Sequence, residues 1–179
     1  SQRVRCLLAN IPTYAIFDDH EVTDDWYIDS KARENVERVA GARRVVANAL
    51  CAYWVFQGWG NDPDSFSQEF VDTVESGIAV VDRKMNAGRK LEDMLISCQC
   101  WHFVAPTSPP IIFLDTRTQR NYTGTLGLGQ LAGPLSLDWL WSKAKEIKGT
   151  HGCAPIYIAA VVPVLGYMPL EWLQGLMSR

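Results

Sequence analysis

The stretch that most constrains this chain is 11–26, which reads Ile-Pro-Thr-Tyr-Ala-Ile-Phe-Asp-Asp-His-Glu-Val-Thr-Asp-Asp-Trp. A short run rich in strand-forming side chains, 13–17, stops abruptly at Asp18, Asp19, His20 and Glu21. A buried strand that ends this way delivers reactive side chains to the loop at its edge. Asp24 and Asp25 follow within a few residues. Oxygen donors and an imidazole are thus crowded where their repulsion calls for a cation or a proton to relieve it. The stretch predicts a strand followed by a metal or phosphate site.

The rest of the composition sets the frame. At 179 residues the chain is long enough for one domain, 1–179, with a sizeable core. Apolar residues at 47% and charged residues at 21% are ordinary globular values, and a net charge of -3 supplies no field that favours nucleic acid or an anionic membrane. No apolar run approaches the roughly 20 residues of a membrane span. Ser1 to Arg5 lacks the apolar centre of a signal peptide. Five cysteines, Cys6, Cys51, Cys98, Cys100 and Cys153, form an odd set without small-scaffold spacing, which predicts free thiols and favours the cytoplasm.

Taken in order, 1–10 predicts the tail of a helix leading into the strand at 13–17. Asp29 or Ser30 starts a long helix in which Val36, Val39, Ala40, Val46, Leu50, Tyr53 and Trp54 recur at helical spacing, with Gly58 and Gly60 ending it. Its arginines and glutamates predict a solvated face with local ion pairs. Asp62-Pro63 opens another helix carrying Phe66, Phe70, Val71 and Val74 on one side. Asn86-Ala87-Gly88 reads as a turn, 93–105 as a strand, and 106–110 as the turn of an antiparallel hairpin into the strand 111–115. The glycine-rich stretch 122–133 is a connector without a phosphate-cradling pattern. Ser136 caps a helix that places Leu137, Leu140, Trp141 and Ala144 on one side and stops at Gly149, so His151 falls in a loop. The apolar stretch 155–162 is a strand of the fully buried kind, and 169–177 a short helix. Strands alternating with helices, plus a hairpin, make an α/β fold with a mixed sheet and flanking helices.

The block Asp18-Asp19-His20-Glu21, preceded by Pro12 and an apolar strand and followed by Trp26, resembles the central motif of the alkaline phosphatase D (PhoD-like) metallophosphatases, a branch of the calcineurin-like metallophosphoesterases. The run 111–120, Ile-Ile-Phe-Leu-Asp-Thr-Arg-Thr-Gln-Arg, is similar to that family's strand ending in Leu-Asp-Thr-Arg, with its second arginine three residues on. The segment through 53–61 and the stretches 133–140 and 156–163 are similar to the elements that usually separate and follow these motifs. The resemblance implies an α/β/β/α sandwich, two divalent or trivalent metal ions held by loops at strand ends, and hydrolysis of a phosphomonoester or phosphodiester substrate by metal-activated water.

On that resemblance Asp19 stands at a metal-ligand position, and His20 matches the histidine that contacts phosphate or donates a proton to the leaving group. Asp18 and Glu21 complete the motif from behind the ligands, Glu21 orienting His20 or a metal-bound water. Arg117 is a candidate phosphate contact, but Asp115 and Arg117 at a strand end more often tie loops together by charge-assisted hydrogen bonds, and that structural role is the one expected here. The family's first metal motif should precede Ile11 and its last, Gly-His-x-His or Gly-Asp-x-His, should follow Val162-Pro163. Neither is found, so the 179 residues are expected to be the middle of such an enzyme and inactive alone. Many members of the family are exported, which leaves the compartment open.

Two other readings compete. A scaffold or interaction domain that kept the fold would use its seven tryptophans, Trp54, Trp59, Trp139 and Trp141 among them, as a contact surface. Cys98, Cys100 and His102 would share one strand face, but ligands so close on a straight strand reach one tetrahedral ion poorly, so small buried thiols and a satisfied histidine are expected there.

Overall fold

The structure is a computed structural model describing residues 1–24, 26–79, 85–122, 130–152 and 154–162. The described residues combine helices with a small mixed sheet, the coarse α/β arrangement expected. Helix α1 (Gln2–Asn10) is followed by α2 (Ser30–Arg38), which starts where Asp29 accepts the N–H of Ala32 at 2.7 Å. The single long helix predicted after Asp29 is in fact two. Val39, with extended backbone (φ −98°, ψ 108°), separates α2 from α3 (Ala40–Tyr53), and Gly41, a poor helix former, follows at once.

Nor does the helix stop at Gly58. A π-helical turn (Trp54–Gly58) runs directly into α4 (Trp59–Asn61), with both glycines inside helical structure. Gly58 is there for space: a Cβ at this position would lie 2.9 Å from Cε1 of Tyr53. A short 3₁₀ turn (Pro63–Ser65) precedes α5 (Gln68–Ala79), whose first turn is capped by the Ser67 hydroxyl accepting the N–H of Phe70.

Helix α6 (Met85–Ser97) corrects two expectations, since 86–88 is helical rather than a turn and 93–97 is helix rather than strand. Leu91 and Leu95, one turn apart, are buried against the core. Glu92 and Asp93 face α3, where Arg44 meets Glu92 at 3.0 Å and Arg43 pairs with both Glu92 and Asp93. Helical spacing satisfies all four side chains, whereas a strand would send alternate ones apart. The arginines therefore divide: Arg33–Glu37 and Arg38–Glu34 are the local pairs expected of a solvated face, and Arg43 and Arg44 bridge helices.

Strand β1 (Phe103–Ala105) pairs antiparallel with β2 (Ile111–Leu114), the expected hairpin, with Phe103 opposite Phe113 and their rings stacked at 4.5 Å. Helix α7 (Pro134–His151) then leads to β3 (Tyr157–Ala160), which lies parallel to β2 in the order β1-β2-β3. Pro134 occupies the first turn of α7 after Gly133, so Ser136 is a buried residue of the helix and not its cap. The helix passes Gly149 and ends at His151, ahead of Gly152 in a left-handed conformation. Its inward stripe is Ser136, Leu140, Lys143, Ala144 and Ile147, while Leu137 and Trp141 are exposed. Strand β3 is an edge strand of the described sheet, and Tyr157 and Ile158 are exposed where full burial was expected. The connector 123–129 and the helix predicted at 169–177 lie outside the described residues.

Cys98 and Cys100 are joined by a disulfide, against the expectation of free thiols. Residues two apart outside a helix point to the same side, and their Cα atoms are 5.5 Å apart. Cys6 and Cys51 are free, and Cys153 lies outside the described residues. Among the described residues no helix is long and apolar enough to cross a membrane.

Candidate metal and phosphate site

The stretch 13–17 belongs to no sheet ladder, contrary to the predicted strand. Side chains hold it instead. The Asn61 amide accepts the N–H of Ala15 at 3.3 Å and donates to its carbonyl at 2.6 Å, and the Tyr53 hydroxyl donates to the same carbonyl at 3.0 Å. Two residues on, Phe17 is 1% exposed and meets the rings of Tyr53 and Trp101 edge-on at 4.9 and 5.8 Å. Burying such a ring contributes roughly 2 kcal/mol. The backbone leaves this anchor directly into Asp18.

From there the chain folds into a tight loop. The Asp19 carbonyl accepts the N–H groups of Val22 and Thr23, the Asp18 N–H donates to the Glu21 carboxylate at 2.8 Å, and the Trp26 indole donates to the Asp18 carbonyl at 3.2 Å. Glu21 therefore closes the loop. The carboxylate beside His20 Nδ1 is that of Asp24, at 3.3 Å. Tyr27 completes the exit with a left-handed backbone (φ 59°), a conformation uncommon for a bulky residue. That geometry aims its carbonyl at the Tyr122 hydroxyl, 2.7 Å away, and at Arg120.

The end of β2 supplies the other half. Asp115 is 1% exposed, and its carboxylate accepts the N–H groups of Arg117 and Thr118 at 2.8 and 2.9 Å as well as the Thr118 hydroxyl. Its own N–H donates to His102 Nδ1 at 3.1 Å. This turn drives Arg117 inward, where Nη2 lies 3.0 Å from Asp18 Oδ1 and 3.4 Å from Asp19 Oδ2, and Nη1 reaches the Trp26 carbonyl. Arg33 from α2 donates to the Thr118 carbonyl and covers the Tyr27 ring at 5.3 Å.

Asp18, Asp19 and His20 consequently bring one ligand atom each within 4.8 Å of one another, a group able to hold a metal ion. Two carboxylates and an imidazole suit a divalent or trivalent cation of hard or intermediate character. The three differ in exposure: the Asp19 side chain is 10% exposed, Asp18 is 37% and His20 is 75%. His20 Nε2 lies 3.8 Å from Asp19 Oδ1. Arg117 offsets the charge of the two carboxylates from the buried side, and His20 stands on the solvent side.

Sequence reasoning named Asp18, Asp19, His20, Glu21 and Arg117, and the structure gathers all five around one loop. It missed the part played by Asn61, whose amide fixes the approach to the loop from 46 residues away. Asp24 was visible as part of the acidic crowd, and its spacing of four from His20 is the signal that singles it out. No protein-family model matches the chain, and no curated protein or solved structure gives a significant match.

Proposed function

We propose that this chain serves metal-dependent hydrolysis of a phosphomonoester or phosphodiester, in the manner of the PhoD-like metallophosphatases that its two motifs resemble. On this reading the helices and mixed sheet belong to a calcineurin-like sandwich. The observation that carries the proposal is the convergence of Asp18, Asp19 and His20 in a loop whose carboxylates are tied from behind by Arg117. Asp19 would hold a cation with Asp18 and His20 beside it, and the cation would supply Lewis acidity toward a phosphoryl oxygen.

The chain's own groups do the rest. Asp24 engages His20 Nδ1 and leaves Nε2 turned toward Asp19. His20 is then placed to contact a phosphoryl oxygen or to give a proton to the departing one. Arg117 is 5% exposed on its side chain, so it acts on substrate through the carboxylates it fixes. The test is metal-dependent hydrolysis of p-nitrophenyl phosphate and bis(p-nitrophenyl) phosphate by the longest natural chain containing these residues. His20→Ala should lower kcat by about 100-fold with the fold retained. Equal turnover in that variant removes His20 from the mechanism, and the absence of metal-dependent turnover overturns the reading.

A second reading, a contact surface, is favoured by one observation: Phe56 is 83% exposed and Trp141 66%. Trp54 is buried and Trp139 half-buried, so only part of the tryptophan set is available for such a surface.

A further inference from the structure

Between the turn at 61–65, the chain entering β1 and the first turns of α7 lies a cleft of about 570 Å³. That volume falls in the range in which small molecules bind, roughly 300–1,000 Å³. Its lining includes His102, Trp139, Lys143, Asp62 and Ser65, none of which belongs to the Asp18–Asp19–His20 group.

His102 is the informative residue. It is 7% exposed, and burial holds its imidazole below the ordinary histidine range, so the ring is neutral at pH 7. Because Nδ1 accepts the Asp115 N–H, the proton of the neutral ring sits on Nε2. Among the described residues that second N–H has no hydrogen-bond partner, and the residue lines the cleft. Nε2 is not sealed in the interior without a partner, so it reaches accessible space, and the cleft that His102 lines is where an acceptor can meet it.

The neighbouring groups define the rest of the ligand. Trp139 stacks on His102 with ring centroids 4.8 Å apart and, being half-buried, also lines the cleft. Lys143 follows one helical turn along α7. Its counter-ion is Glu146 at 2.8 Å, 63% exposed, a surface pair of little worth that an incoming anion can replace. Asp62 adds a carboxylate that accepts ligand N–H groups.

We propose that this cleft binds a small planar heteroaromatic anion. Its ring would lie against Trp139, a ring acceptor would take the His102 Nε2–H, and its acidic group would meet Lys143. The site stands apart from the phosphoesterase reading and does not depend on it.

Adenosine 5′-monophosphate and nicotinate are suitable probes, titrated into the protein by calorimetry and tryptophan fluorescence in the presence of chelator. The expected result is saturable one-to-one binding of at least one probe, weakened about tenfold or more by Lys143→Ala and by His102→Asn. Asparagine keeps an acceptor near the Nδ1 position for the Asp115 N–H and lacks Nε2, and Lys143 lies on the helix surface, so a fold check by circular dichroism accompanies both variants. Asp19→Ala should bind the probe as the unaltered protein does. Failure of both probes to bind at millimolar concentration, unchanged affinity in folded Lys143→Ala, or loss of binding in Asp19→Ala would each overturn the proposal.

Discussion

Arg117 and Asp18 are 99 residues apart in the chain, and their side chains meet at 3.0 Å. This contact joins the loop after Phe17 to the end of β2, the two places where the chain carries its densest polar chemistry. Its rigidity comes from both sides. The Asp115 carboxylate sets the turn that aims Arg117, and the Trp26 and Tyr27 carbonyls are held by Arg117, Arg120 and Tyr122.

Removing the guanidinium takes away a positive charge 3.4 Å from the buried Asp19 carboxylate. Arg117→Ala is expected to cost about 3 kcal/mol in urea unfolding, the scale for breaking a buried pair from one side. Arg117→Lys should recover only part of it, because an ammonium cannot span Asp18, Asp19 and the Trp26 carbonyl at once. A loss below about 0.5 kcal/mol in Arg117→Ala would show that the contact does not hold the loop.

The His102 imidazole is held below its ordinary 6.5, first by burial, while the nearby Asp115 carboxylate pulls partly the other way. The unfolded chain therefore takes up this proton at a higher pH than the folded one. Stability from this group is complete above pH 6.5 and is lost as pH falls from there through the folded value. Protonation of Nδ1 also removes the acceptor for the Asp115 N–H. The thermal midpoint should fall between pH 7.5 and pH 5.5, less steeply in His102→Asn, and parallel profiles for the two proteins would contradict this.

Helices α5 and α6 touch where Gly77 meets Leu91. A Cβ at Gly77 would collide with Cδ2 of Leu91 and lie 3.0 Å from its Cβ. Overpacking costs about 1–3 kcal/mol, and the helix propensity gained from alanine returns about 1. Gly77→Ala should therefore lose roughly 1 kcal/mol, and a more stable variant would mean that Leu91 moves aside freely.

Much of this architecture could be read from local signals. The proline-rich turn 106–110 between two runs of strand formers marked the hairpin, and Asp29 marked the start of α2. What failed depended on distant partners. Stretch 13–17 has strand composition, but Asn61 and Tyr53 take the backbone groups of Ala15 that a neighbouring strand would have used. Residues 93–97 looked like the start of a strand because Arg43, the partner of Asp93, sits 50 positions away on α3. In the site, Asp18, Asp19 and His20 are contiguous and so legible at once, whereas the partnership of Arg117 with them exists only in space.

The phosphoesterase reading requires that Asp18, Asp19 and His20 take a metal ion. Its most direct test is the stoichiometry and affinity of Mn²⁺ and Zn²⁺ for the purified protein, compared with Asp19→Ala and His20→Ala. At least one bound ion per chain is expected, lost in Asp19→Ala and weakened in His20→Ala. Binding indifferent to both substitutions, or no binding at all, would contradict it.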